Sequence, residues 1–170
     1  MTFLSLLFLA GAALALPAPQ KGGGNATCNS VLTAQLVGGI QANLNIQAQE
    51  LQGVQTLASL TAANSTGRAL PNNAVSDFQL TQSNVLTIQQ KGIDIRAQNQ
   101  KLASELNSPA AQGLAVVAMA QVMEVMQVKS LTGSGPADAK TLQLLVTEVQ
   151  GGTKQNMMNL MAAESACKKA

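Results

Sequence analysis

Three methionines in the stretch MAQVMEVMQV (119–128) recur at i, i+4 and i+7. On a helix, Met119, Met123 and Met126 fall within an arc of about 60°. Thioether sulfur is soft and polarizable. Such a stripe can fill an irregular core, bind a soft ion such as Cu(I), or present an adaptable apolar lining to a lipid or a hydrophobic solid. Sulfur recurs at suitable intervals in Met123-x-x-Met126 and Met158-x-x-Met161, and Met157 and Met161 would lie beside the first stripe on a neighbouring helix. The chain has no histidine and two cysteines, so copper would lack its usual imidazole and thiolate ligands. Ordinary core and an apolar lining built from Met119, Met123, Met126, Met157 and Met161 remain, and no cofactor or metal is expected.

Catalytic machinery is sparse. Without histidine the commonest general base is missing, and two cysteines alone make neither a Cys₄ nor a Cys₂His₂ zinc site. The eight carboxylates, Glu50, Asp77, Asp94, Glu105, Glu124, Asp138, Glu148 and Glu164, are scattered among polar neighbours and read as solvated. A glycosidase-like pair would require two of them to meet across helices, which spacing alone does not show. SACK (165–168) matches S-x-x-K without its companion motifs. No catalytic residue is assigned and the chain is expected not to be an enzyme. Ten dispersed Lys and Arg against eight acids, with three Phe and no Tyr or Trp, offer neither the basic face nor the stacking platform that nucleic acid needs.

The N-terminus speaks to compartment. MTFLSLLFLAGAALALPAPQKGGGN contains a short apolar run followed by an A-x-A site at Ala13–Ala15, the layout of a secretory signal peptide spanning 1–15. The run is too short to cross a bilayer and is followed by Pro17 and Pro19, so no transmembrane segment is expected. Residues 16–27 read as a flexible tether and 28–168 as one helical domain. In a secreted protein Cys28 and Cys167 are most simply one disulfide, and closing a loop of about 140 residues contributes up to roughly 5 kcal/mol in the chain-entropy model. Asn25-Ala26-Thr27 and Asn64-Ser65-Thr66 are glycosylation sequons in expected loops.

The elements that must position these residues are helical. Apolar residues recur three and four apart, β-branched alternation is rare, and Gly/Pro clusters punctuate the pattern. Four helices are expected, at about 29–62, 74–106, 109–131 and 136–167. The first would bury Leu32, Leu36/Val37, Ile40, Leu44, Ala48, Leu51, Val54, Leu57 and Leu60, and the second Phe78, Val85, Ile88, Ile95, Leu102 and Leu106. The last would bury Leu142, Leu145, Val149, Met157, Leu160 and Met161. Asn73 is the expected cap of the second helix and Ser108, before Pro109, that of the third. An antiparallel bundle of four brings both cysteines to one pole, in agreement with a bridge, although the short joint at 107–109 also suits a kink. Gly38-Gly39 and Gly151-Gly152 interrupt helical segments at a cost of about 1 kcal/mol per glycine. A helix break, a close helix contact or a deformable waist would account for them, and by helix rise the two pairs could face each other.

The third helix is apolar nearly all round, with Val125 and Val128 on the side away from the methionines. One inner face of a bundle cannot cover such a helix. LALPAPQ after an A-x-A site, a charge-poor Gln/Ala/Leu/Val body and a terminal cysteine pair resemble small secreted proteins of filamentous fungi, distantly those of the hydrophobic-surface-binding and cell-wall mannoprotein type. That resemblance implies adsorption to waxy solids or retention of fatty acids in a helical cavity. The expected function is that of a secreted or cell-wall-associated, non-enzymatic glycoprotein binding lipid or hydrophobic surfaces. The alternatives are an effector or elicitor docking on a host protein through Val125 and Val128, and a structural wall component.

Overall fold

A computed structural model describes residues 28–65 and 74–167. The expected signal peptide, tether, sequon Asn25 and cap Asn73 lie outside the described residues. The elements are α1 (Ser30–Ser65), α2 (Ala74–Glu105), α3 (Ala111–Ser130) and α4 (Gly135–Ser165), within a few residues of the sequence expectation. Asn64 falls in the last turn of α1 rather than in a loop, and its side chain lies outside the described residues. Each helix packs on its chain neighbours and α4 closes the ring on α1, giving an antiparallel four-helix bundle. Cys28 and Cys167 are joined, with Cα atoms 5.4 Å apart across 139 residues of chain. The Thr33 hydroxyl lies 3.2 Å from the Cys167 sulfur.

Local chemistry sets the ends. Asn29 Oδ1 accepts from Leu32 N at 3.1 Å and caps α1. The joint between α2 and α3 is a reversal, not a kink. Asn107 is left-handed (φ 47°), a conformation asparagine tolerates, and Ser108 N reaches back to Ala103 O at 2.8 Å as in a Schellman ending. Ser108 Oγ accepts from Ala110 N at 3.2 Å and so serves the turn; the cap position of α3 is Ala110, without a side-chain bond, and not Ser108 as expected. Between α3 and α4, Gly133 has φ +80°, and a Cβ there would meet Phe78 Cδ1 at 3.3 Å. The buried Asp138 carboxylate accepts from Thr132 N (2.9 Å) and Gly133 N (2.7 Å), while Gln82 Nε2 donates to Val128 O and Leu131 O at the end of α3.

The core follows a strict alternation of three and four. Buried positions run 33, 36, 40, 43, 47, 50, 54, 57, 61 in α1 and 85, 89, 92, 96, 99, 103 in α2. They continue as 110, 114, 117, 121, 124, 128, 131 through α3 and 135, 138, 142, 145, 149, then 156, 159, 163 along α4. This 3.5-residue period is the seam of coiled-coil packing. Its two ends are apolar. Leu36, Ile40, Ala103, Ala110, Leu114 and Ala163 cluster near the disulfide, and Val54, Leu57, Phe78, Val85, Val128 and Leu145 cluster toward the other pole.

Between the clusters the seam is polar, and the expected core departs from what is observed. Asn43, Gln47 and Glu50 are buried where Leu44, Ala48 and Leu51 were expected, and Ala48 is exposed. In α2, Gln89, Arg96 and Asn99 are buried while Ile88, Ile95 and Leu102 are half-buried on the flanks. In α4, Asn156 and Asn159 face inward, and Met157 and Met161 are exposed.

Both Gly-Gly pairs lie within unbroken helices. They do not face each other: a Cβ on Gly39 would collide with Asn99 of α2, and one on Gly152 would stand 2.9 Å from Gln47 Nε2 of α1. Gly38 and Gly151 have nothing within 4 Å of a Cβ. One glycine of each pair therefore admits a neighbouring amide and the other only lowers helix propensity. Gly38→Ala and Gly151→Ala are each expected to raise stability by about 0.5–1 kcal/mol, whereas Gly39→Ala lowers it by about 1–3 kcal/mol by overpacking Asn99. Urea unfolding followed by circular dichroism checks the order. Equal gains from Gly38→Ala and Gly39→Ala would show that Asn99 is not held in place.

Candidate functional site

Every helix contributes a polar side chain to the middle of the bundle. Asn43 Oδ1 accepts from Arg96 Nε at 3.2 Å and from Asn156 Nδ2 at 2.6 Å, and its own Nδ2 donates to Gly92 O at 3.3 Å. The glycine matters here: a Cβ at 92 would press on Arg96 Nη1 and Ile46 Cγ2, both at 3.2 Å. Asn156 Nδ2 also reaches Gln47 Oε1 (2.9 Å), and Asn159 Nδ2 donates to Asn156 Oδ1 (3.2 Å). One turn along, Glu50 Oε1 accepts from Gln89 Nε2 (2.8 Å) and Gln121 Nε2 (3.1 Å). Asn43, Arg96 and Asn156 thus tie α1, α2 and α4 together, and Glu50, Gln89 and Gln121 tie α1, α2 and α3.

The network leaves several buried atoms without a hydrogen-bonding partner: Glu50 Oε2, Gln89 Oε1, Arg96 Nη1 and Nη2, Asn99 Nδ2 and Gln121 Oε1. A buried polar atom left unpaired costs about 1–3 kcal/mol, so this layer works against stability. Burial also reshapes its acids. Glu124 is pushed up to about 8, first by desolvation, then by the Glu50 charge, against the pull of Arg96 and with a further push from Glu148. Desolvation raises Glu50 as well, opposed by its hydrogen bonds from Gln89 and Gln121 and by Arg96. It lowers Arg96, opposed by Glu50 and Glu124. Glu50, Glu124 and Asp138 are therefore buried, not solvated as their scattered spacing suggested. Among the described residues, no group of three or more His, Cys, Asp or Glu is placed to hold a metal ion.

The residues singled out from sequence lie elsewhere. Met119, Met123, Met126, Met157 and Met161 are all more than half exposed and do not line an interior. Val128 is fully buried and Val125 half-buried, so they form no docking patch. The reason is the seam. With Leu114, Val117, Gln121, Glu124 and Val128 inward, the methionines are rotated outward, opposite to what an apolar-inward rule requires. Val116, Met119, Val122, Met123 and Met126 give α3 an exposed apolar face, and Leu144, Met157, Met158 and Met161 extend apolar exposure along α4. Val116 and Met158 share a groove of about 340 Å³ between the two helices. By length and composition α3 is also long and apolar enough to cross a membrane.

Sequence reasoning missed the polar layer. Its signal was present: amides, acids, an arginine and glycines at 43, 47, 50, at 89, 92, 96, 99, at 121, 124 and at 152, 156, 159 continue the three–four spacing of the apolar residues on either side. Comparison with family models, curated proteins and solved structures finds no match, so the site is read from geometry alone.

The buried acids give stability a definite pH dependence. The unfolded chain releases the Glu124 proton near the usual 4.5 and the folded chain near 8. Stability from this group is fully present below about pH 4.5 and falls as pH rises toward 8, by up to about 1.4 kcal/mol per pH unit; Glu50 acts in the same sense. Glu124→Gln should flatten that decline and leave the protein more stable than wild type at pH 8. Urea midpoints between pH 4 and 9 test this, and an undiminished slope in the variant would assign the effect to another group.

Proposed function

We propose that this is a secreted, non-enzymatic helical bundle that adsorbs to hydrophobic surfaces through the outer face of α3. One observation carries the reading. Five large apolar side chains, Val116, Met119, Val122, Met123 and Met126, stand about half or more exposed along one helix. The only charged residues of that helix are the buried Glu124 and the terminal Lys129. Contiguous apolar exposure of this kind marks interaction surfaces in soluble proteins, and unbranched methionines adapt to irregular partners. A waxy or lipidic surface suits the face because it asks for apolar area and no charge complementarity. The polar mid-section argues against an enclosed lipid chain, so the surface form of apolar binding is favoured over the cavity form. The terminal disulfide accords with an oxidising compartment, and the fungal resemblance points to the same activity.

Adsorption of the full chain to paraffin or polystyrene, followed on a quartz-crystal microbalance, tests this. Met119→Gln, Met123→Gln and Met126→Gln combined should weaken adsorption about tenfold or more without changing the helical spectrum, because none of the three is in the core. Replacing Met157 and Met161 should have a smaller effect. Unchanged adsorption of the triple variant would remove α3 from the function.

A further inference from the structure

Every methionine among the described residues stands on the outside of the bundle. Met119, Met123, Met126, Met157, Met158 and Met161 are each between 51% and 61% exposed, and the buried core is built without one. That distribution inverts the ordinary use of methionine as a filler of irregular cores. The rest of the chain withholds the competing targets of an oxidant. It has no Trp, Tyr or His and only two cysteines, and those two are joined to each other. Among the described residues, an oxidant therefore meets thioethers and little else, and it meets them on α3 and α4 alone.

From this placement we infer that the exposed methionines are a modification site for hydroperoxides, and that their conversion to sulfoxides releases the protein from hydrophobic surfaces. The release presupposes adsorption through α3 as proposed above; the modification does not. The chemistry needs no base and no metal, because a thioether carries free lone pairs at every pH. A sulfur lone pair attacks one oxygen of the hydroperoxide, and the O–O bond breaks as the S–O bond forms. The proton on the attacked oxygen passes to the departing one. Sulfur gives up two electrons, and the peroxide takes them and leaves as water or an alcohol.

On α3, three of the five large exposed apolar side chains are methionines. Oxidation places three polar S–O groups where apolar area made contact, while Val116 and Val122 are inert to the same reagent. The fold is spared. The inward line of α3 is Leu114, Val117, Gln121, Glu124 and Val128, and none of these carries sulfur. Oxidation thus changes the surface and leaves the bundle standing, which a methionine-packed core would not allow.

The test treats the full chain with hydrogen peroxide and locates the added oxygen by peptide mapping and mass spectrometry. The six methionines should react within about tenfold of the rate of N-acetylmethionine amide, because each is more than half open to solvent. On paraffin or polystyrene the oxidised chain should adsorb about tenfold less than the untreated chain, with an unchanged helical spectrum and urea midpoint. Met119→Leu, Met123→Leu and Met126→Leu combined keep the apolar area and remove the sulfur. This variant should adsorb like wild type before peroxide and within about twofold of its own untreated value after it. Untreated wild type that fails to adsorb overturns the adsorption reading and the release with it, while the reaction rates still decide the modification. Adsorption that survives oxidation of the α3 methionines, or that falls equally in the leucine variant, overturns the release alone. Methionines that react more slowly than the stated range overturn the modification site.

Discussion

The structure depends on one constraint: the inward-facing positions keep a three–four alternation along every helix, whatever residue occupies them. A straight helix would drift out of such a pattern by about 20° per heptad, so holding it requires neighbouring helices to wrap continuously. Once the ends are set by Leu36 and Ile40 near the disulfide and by Val54 and Leu57 toward the far pole, the positions between them must also point inward. Asn43, Gln47 and Glu50 occupy them, and the other helices answer with Arg96, Gln89, Gln121 and Asn156. The amides suit this place because each both donates and accepts, so a single side chain can link two neighbouring helices, as Asn43 links α2 and α4.

Such a layer trades stability for specificity. A buried polar contact gives little net gain and a partnerless atom gives a loss, whereas sliding one helix by a turn would set amides against leucines and strand them all. The well-attested use of buried polar positions in coiled coils is to fix register, and a four-helix ring with connections as short as the 107–110 turn has several alternative registers to reject. The glycines belong to the same device. Gly39, Gly92 and Gly152 lie where amides or Arg96 need room, which is why the helices tolerate them.

The fold was legible because punctuation and composition agree. Pro109, the Gly-Ser-Gly-Pro run at 133–136 and the sparse β-branched alternation mark four helices, and the cysteine pair demands an even number of crossings. The core was legible only at its ends. In the middle, an apolar-inward rule slips one position, from 43, 47 and 50 to 44, 48 and 51, because the leucines there are half-buried flank residues and the true seam is polar. The same slip misplaced the third helix: ranking Met119, Met123 and Met126 above Val117, Gln121, Glu124 and Val128 turned it nearly half a revolution. Spacing continued from the unambiguous ends resolves both cases, since 36, 40 and then 54, 57 are in phase with 43, 47 and 50 and out of phase with 44, 48 and 51.

That inversion also explains why a chain so poor in charge has so much apolar surface. A bundle of this length has a fixed number of inward positions, and each one given to an amide, acid or arginine is withdrawn from the apolar inventory. The displaced residues, Ile88, Ile95 and Leu102 on the flanks and the methionines of α3 and α4 outside, must be partly or wholly wet. Most of α1, α2 and α4 compensates with exposed Gln, Thr, Ser and Lys. The short α3 does not: its inward line holds Gln121 and Glu124 and its outward line holds Met119, Val122, Met123 and Met126. Gln121 and Glu124 buried among Leu114, Val117 and Val128, with oil outside on the same helix, is not what solubility alone would select, and the bundle's other three helices and its disulfide supply the stability that lets α3 keep that arrangement in water.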